Sequence, residues 1–526
     1  MGKRNRACEE CHRLKIKCDV NTSQLKACER CSRNGLECVP AAPRLQRDRI
    51  NQLEAQIEQL KLALSDQSSN DTPSRSPEKP VEDQNQYILS YLDARVSLRK
   101  QQDLLYFFRH QVSAVWPVVR ISMDLDQIRV KSPILLMSVL AFTCTHNMQG
   151  TDLEVHDDLV RETMRVLGDE VIGRGQRSIE LVQALLLSAF WSKNTRKGQQ
   201  ASCYQVVQLA VDMAIDLGIA GFAWQPSPAA YFCRLEDATS LEGRRTWLAC
   251  YVALSTCSVD MRRLNAVPWD AHLQECLSFL ESTGEALDLL LCQIVRITQL
   301  IQVILGELHL FRLATFVDGN EYGTHSTMEN LKNKVDAWTT QLPPLLATSS
   351  TLRVLRHVAM VHIYEVVLHT QTNKPSFAAP YIPARIPVKD FPTPINMIPP
   401  LRSALEALVH HCHAVIDSAT NMDPALVLSL PTFSFAPTVV YSLFVLVTTL
   451  AASTSPGNTY GQCLIRDHLQ IEQCGAKLRR LTGGMRSLDP TMSCWTSRLF
   501  DATGWLEEWY NDYATILHRY EAYLTI

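Results

Sequence analysis

Six cysteines in the first 38 residues fall as Cys8-x2-Cys11-x6-Cys18 and, nine residues later, Cys28-x2-Cys31-x6-Cys38, one half-motif written twice. Thiolates at such spacings are metal ligands. Tetrahedral zinc needs four nitrogen or sulfur donors, so six thiolates complete two ions only if two sulfurs bridge both metals. Lys3, Arg4, Arg6, Arg13, Lys15, Lys17, Lys26, Arg30 and Arg33 are interspersed among the cysteines. A disulfide framework also suits an even cysteine count, but in a small secreted domain. This chain opens Met-Gly-Lys-Arg-Asn-Arg, with no apolar run of a secretory signal. Two separate C-x2-C redox motifs leave the third cysteine of each half, and the shared x6 spacing, unexplained. The other eleven of the 17 cysteines lie in apolar or mixed segments, as reduced thiols do.

Charge is unevenly spread. The 526 residues carry a net −3, yet residues 1–49 hold twelve Lys/Arg against six Asp/Glu, a net of +6, which leaves −9 for the rest. Six thiolates and two zinc ions themselves sum to about −2, so part of that basic excess balances the metal site. A basic head on an acidic body predicts a head that meets nucleic acid and a body that does not. The first half-motif is the richer in cations, with Arg13, Lys15 and Lys17 between its cysteines, against Arg33 alone after Cys31. A short helix is predicted after each C-x2-C, held by metal because forty residues cannot build a core. The first helix should enter the major groove by its C-terminal end.

The spacing over residues 6–39 resembles the fungal binuclear zinc-cluster (Zn2Cys6) transcription factors. The resemblance implies two zinc ions per chain, held by Cys8, Cys11, Cys18, Cys28, Cys31 and Cys38, with Cys8 and Cys28 as the bridging pair. It matches Lys15 to the base-contacting lysine of a CGG half-site, while Arg4, Arg6, Arg13 and Lys17 fall to phosphate. It also implies double-stranded DNA and the transcription machinery as partners, a nuclear location and no enzymatic activity. Two positions depart from the pattern: Lys26 replaces the usual proline of the inter-half loop, and His12 a commonly basic residue. The regulation of RNA polymerase II genes for a specialised pathway, such as a secondary-metabolite gene cluster, is the expected role. A zinc/thiolate redox or storage protein and a non-DNA-binding adaptor are the rival classes.

These residues need elements to position them. The cluster domain is assigned to residues 6–40 and a connector to 41–49, stiffened by Pro43 and kept positive by Arg44, Arg47 and Arg49. Ile50, Leu53, Ile57, Leu60 and Leu64 then alternate at steps of three and four. Ile at a and Leu at d favour a parallel two-stranded coil, so residues 50–64 are read as a homodimerisation element; the plainer alternative is one amphipathic helix lying on another domain. Residues 65–86 contain no large apolar side chain but Val81 and are read as a disordered linker.

From residue 87 to 526 apolar residues recur at helical spacing, as in Leu181, Leu185, Leu186 and Phe190, and hairpin signals are absent. The predicted fold is a small metal-stabilised cluster domain and short coiled coil, followed by a large all-α regulatory domain. Gly218 should cap the helix that ends near Leu217. Leu104–Phe108 with Trp116-Pro117, Ser178 to Trp191, Asp216–Ile219 and Arg244-Arg245-Thr246-Trp247-x3-Tyr251 resemble, in that order, the fungal-specific regulatory domain that accompanies many zinc clusters. The resemblance implies regulation, in some members by a small-molecule effector.

Three features invite other readings. Thr438–Ser455 is uncharged and long enough for a membrane span, but its seven Ser/Thr and lack of flanking cations predict a core helix, and no membrane partner. His410-His411-Cys412-His413 looks metal-like but lacks a partner pair. Residues 500–513 mix acids with aromatics, as activation segments and closing helices both do. No P-loop, GxGxxG, GxSxG or HExxH stands in usable context.

Overall fold

The computed structural model describes residues 7–18, 27–39, 84–143, 152–191, 203–228, 230, 235–379, 381, 397–454, 459–464, 466–490, 492, 495–501 and 503–504. The chain divides into two compact units, Met1–Glu82 and Asp83–Ile526. Among the described residues neither contains a β-sheet. Residues 50–64, assigned to dimerisation, lie outside the described set, as do Arg4, Arg6, Lys26 and the run from 505 onward.

In the first unit the described helices are α1 (Glu9–Arg13) and α2 (Glu29–Arg33). Each starts inside its C-x2-C rather than after it, so Cys11 and Cys31 are helical residues. Five residues cannot hold a helix in water alone. The buried side chains among the described residues here are Cys8, Cys11, Cys28 and Cys31, so sulfur replaces a hydrocarbon core.

The second unit begins with α3 (Gln84–Asp93). Residues 84–86, read from composition as linker, are therefore its first turn; Ile88 and Leu92 bury against the core and anchor it. Then follow α4 (Leu98–Phe107), α5 (Leu125–Lys131), α6 (Pro133–Phe142), α7 (Asp152–Gly168), α8 (Ile179–Phe190) and α9 (Cys203–Asp216). The middle contains α10 (Leu241–Met261), α11 (Ala271–Thr283), α12 (Ala286–Glu307), α13 (Tyr322–Thr340) and α14 (Ser350–Tyr364). The last are α15 (Pro399–Thr420), α16 (Pro424–Ser429), α17 (Thr432–Thr454), α18 (Arg466–Leu469), α19 (Ile471–Leu488) and α20 (Trp495–Asp501). Neighbours pack in succession, α6 on α8, α8 on α9, α9 on α10, α10 on α12, α12 on α14, α14 on α15 and α15 on α17. Local chemistry sets the ends. Ser178 caps α8, Ser240 caps α10 and Asp270 caps α11, each accepting from a backbone N–H three residues on. Gly218, at φ +82°, closes the turn after α9 with its N–H on the Ile215 carbonyl.

The uncharged helix α17 is a core helix: 89% of its apolar window is buried. Ser442, Thr448 and Thr449, all buried, and half-buried Ser453 each donate back to the carbonyl four residues earlier, which satisfies their hydroxyls within the helix. By length and composition α12 could also span a membrane; it too packs into the helical array, with 61% of its window buried. Arg244 and Arg245, at the start of α10, are structural. Arg244 reaches Glu275 at 2.8 Å and stacks over Phe279, and Arg245 shares the fully buried Asp288 with Arg120.

One buried polar network was invisible in the sequence. Arg262, at φ +51° just past α10, contacts Glu365 at 2.7 Å and donates to the Tyr441 hydroxyl at 2.8 Å and the Phe377 carbonyl at 3.2 Å. His362 lies 3.0 Å from Glu365. Burial alone would raise the Glu365 carboxyl, but Arg262 and His362 outweigh it and hold the group ionised well below the usual carboxylate range. Burial also lowers His357 to about 4, His369 to about 3 and His411 to about 3 from an ordinary 6.5. The unfolded chain binds more protons than the folded one between those values and 6.5, so stability rises with pH there and is lost on acidification. Glu365, with its pKa depressed, adds to the loss below about pH 4.5. Asp260, raised to about 7 by burial, opposes it. The three histidines outnumber it, so thermal unfolding at pH 5 should come at a lower temperature than at pH 7.5. An unchanged or higher midpoint at pH 5 would contradict this balance.

Candidate metal centre and nucleic-acid interface

The six cysteine sulfurs converge. Two groups of four each have all sulfurs within 4.8 Å of one another: Cys8, Cys11, Cys18 and Cys28, and Cys8, Cys28, Cys31 and Cys38. Cys8 and Cys28 belong to both. Their sulfurs stand 3.7 Å apart, with Cys8 to Cys31 also 3.7 Å and Cys11 to Cys28 3.8 Å. Zn–S bonds of about 2.3 Å in a tetrahedron place sulfurs roughly 3.8 Å apart, so the residues fit two ions with a shared edge.

The helices explain the inequality among the sulfurs. Cys28 is the N-cap of α2 and accepts from the Cys31 N–H; this lowers its thiol to about 6. The Cys11 N–H holds Cys8 below the ordinary thiol range in the same way. Burial raises Cys11 and Cys31 instead. Cys18 and Cys38 accept from the N–H groups of Cys8 and Cys28, at 3.4 and 3.2 Å, which ties the end of each half to its beginning. The sequence reading passed over Arg30: its guanidinium lies against the Cys11 sulfur and favours the thiolate. It stands in α2, so it crosses from one half to the other. An unpaired basic residue beside a ligand cysteine was the available signal.

The two halves repeat in backbone detail. The Ile16 N–H bonds to the Cys11 carbonyl at 3.1 Å and the Leu36 N–H to the Cys31 carbonyl at 2.9 Å. At the matching position of each turn stand Lys15 at φ +52° and Gly35 at φ +62°. Lys15 thus sits just past α1, exposed and in a left-handed conformation. Arg13 is exposed and paired with Glu10 at 3.0 Å, and Lys17 is also exposed. Leu14 and Ile16 flank Lys15 on the surface, 48% and 42% exposed.

In the helical unit, His413 bonds to the Leu469 carbonyl, Cys412 is buried in the core, and His411 meets His357 at 2.9 Å. Among the described residues no third metal-ligating group joins them; the groupings of three or more are the two cysteine ones.

The chain matches the Fungal Zn(2)-Cys(6) binuclear cluster domain over residues 6–48 and the WAR1 C-terminal domain over residues 46–344, more than half its length. It therefore belongs to the family of fungal zinc-cluster transcription factors that carry the WAR1 C-terminal domain, and it binds two zinc ions. Curated relatives include transcription factor pbcR of Emericella nidulans, 26% identical over 56% of this chain and 46% of that protein. Transcription factor opdL of Penicillium oxalicum is 23% identical over 57% of this chain and 56% of its own. Transcriptional regulator WAR1 of Candida albicans is 24% identical over 44% of this chain and 24% of its own. The chain thus spans about half or less of the length of these relatives. No solved structure matches it.

Proposed function

We propose that this protein is a nuclear, sequence-specific DNA-binding regulator of RNA polymerase II genes, reading CGG-type half-sites as a homodimer. The observation that carries the reading is the pair of four-sulfur groups that share Cys8 and Cys28, beside an exposed basic turn. In this assignment Cys8 and Cys28 bridge the two ions, Cys11 and Cys18 complete one, and Cys31 and Cys38 the other. Lys15 donates to guanine O6 and N7, while Arg4, Arg6, Arg13 and Lys17 hold phosphates. The helical unit regulates, under a small-molecule effector, and the transcription machinery is the downstream partner. A specialised pathway such as a secondary-metabolite gene cluster is the proposed target, and genomic mapping of binding sites tests it. A gel-shift with a random oligonucleotide pool separates this reading from a zinc store or an adaptor, neither of which would retard DNA.

A base contact and a phosphate contact respond differently to truncation. Losing a base contact costs about 1–3 kcal/mol of discrimination. Losing a phosphate contact weakens all sequences alike and lowers the salt slope by roughly one unit. Lys15→Ala should therefore flatten the preference for CGG over its point variants, and Lys17→Ala should lower affinity without reordering them. A Lys15→Ala protein that ranks sequences as the parent does would remove Lys15 from the readout.

Dimerisation is assigned to Ile50, Leu53, Ile57, Leu60 and Leu64, with residues 41–49 setting half-site spacing. Leu53→Lys with Leu60→Lys should depress binding to two-half-site DNA far more than to a single half-site, because charge at d positions cannot pack across a coil. Two-site affinity equal to the parent's would place the dimer contact elsewhere.

A further inference from the structure

The two half-motifs repeat one pattern, so each position of the first has a counterpart in the second that serves the same fold. Aligned on Cys11 and Cys31, Arg13 matches Arg33, Ile16 matches Leu36 and Cys18 matches Cys38. These matched residues behave alike. Each arginine pairs with a glutamate of its own helix, Glu10 at 3.0 Å and Glu29 at 2.7 Å. Ile16 and Leu36 make the same backbone bond and are similarly exposed, 42% and 40%. What the halves share is accounted for by the fold of a half-motif.

From Arg13 onward, three positions differ in kind: Leu14 stands for Asn34, Lys15 for Gly35 and Lys17 for Glu37. The second half has the residues that suit the backbone. Gly35 takes its left-handed turn without strain, and Asn34 ends α2 by donating its side-chain amide to the Arg30 carbonyl at 3.1 Å. Leu14 makes the matching backbone bond, to the Glu10 carbonyl at 3.4 Å, but its side chain cannot donate, and it is 48% exposed. One exposed leucine is ordinary on a protein surface. This one replaces a helix-ending amide, precedes a lysine in a strained turn, and belongs to the half that holds the cations. Residues that break a local rule with no gain to the fold mark a functional surface.

We propose that Leu14 reads a thymine in the base pair next to the CGG triplet, by packing against its 5-methyl group. The leucine side chain offers no donor or acceptor, and the thymine methyl is the apolar group that base edges present in the major groove. CGG and its complement contain no thymine, so the contact falls outside the triplet and lengthens the half-site. Ile16 is assigned no such contact, because Leu36 matches it. The inference rests on the DNA reading above, and its test separates the two. Retarded DNA with ranked triplets but no methyl effect overturns the Leu14 contact alone; no retarded sequence at all overturns both.

The test uses full-length, zinc-loaded protein and the half-site enriched from a random oligonucleotide pool, which should carry a thymine beside the triplet. Replacing that thymine by uracil removes the methyl and keeps every hydrogen-bonding group. It should weaken binding about threefold to fivefold, the worth of one buried methyl. Leu14→Ala should bind the two DNAs alike, while Ile16→Ala keeps the difference. Leu14→Asn borrows the residue of the second half. It should hold two zinc ions in native mass spectrometry, rank triplets as the parent does, and lose the thymine preference. In the parent, 5-methylcytosine at that position should bind tighter than cytosine. No thymine in the enriched site, equal binding of thymine and uracil, a Leu14 variant that still tells them apart, or a difference that depends on Ile16 instead would each overturn the proposal.

Discussion

Chelation of zinc should unfold the first unit outright and abolish DNA binding, while the helical unit stays folded. Sulfur is the buried material of that unit among its described residues, so nothing apolar remains to hold α1 and α2 once the metal leaves. Structural zinc contributes roughly 10–16 kcal/mol at neutral pH in small metal-folded domains, far more than two five-residue helices can supply. The shared sulfurs make the prediction sharper. Cys28→Ser should remove a ligand from both ions and reduce the count in native mass spectrometry from two towards none. Cys38→Ser should touch one ion only and leave a one-zinc species. Equal losses from the two variants would refute the assignment of Cys28 as a bridge, and a folded metal-free first unit would refute the metal-held core.

The second large effect lies in the helical unit. Arg262→Met should destabilise it by about 3–5 kcal/mol, because the fully buried Glu365 loses the cation that offsets its burial. Replacing both Arg262 and Glu365 by apolar residues of similar size should cost much less than the single change, since the uncompensated charge goes too. All nine tryptophans lie from Trp116 onward, so their fluorescence in a urea titration reports on this unit without interference from the zinc site. A single variant no less stable than the double would mean that the pair is not energetically coupled.

The zinc ligands were legible because metal spacing is a local property: every ligand lies within eleven residues of the next. Long apolar helices such as α8, α10 and α17 were legible for the same reason, since a period repeats within a few turns. The Arg262–Glu365–Tyr441 network was not, because it joins residues more than seventy positions apart and each alone reads as an ordinary surface or core residue. The end of the linker was misplaced by three residues because glutamine and asparagine at 84–86 look disordered by composition, while Ile88 and Leu92 decide the helix by packing. The start of α2 inside its C-x2-C follows from the capping role of Cys28, which the sequence marks only as a ligand. The left-handed turn at Lys15 went unread because such turns are sought at glycine, and glycine stands only at its counterpart, Gly35.

The left-handed turn couples the metal site to Lys15, the residue assigned to readout. A lysine in the left-handed region costs of order 1–3 kcal/mol, an expense the chain avoids at Gly35. Lys15 stands between Cys11 and Cys18, so the backbone around it is a hoop pinned at both ends by ligands assigned to the same ion. The hoop is held in its strained shape before DNA arrives, and the metal rather than the DNA bears the cost. If Lys15 reads bases as proposed, partial demetallation would be felt first at that lysine, and sequence discrimination would fade before affinity does. A Lys15→Gly chain would be the converse: easier to fold around its zinc, and without the side chain assigned to base reading.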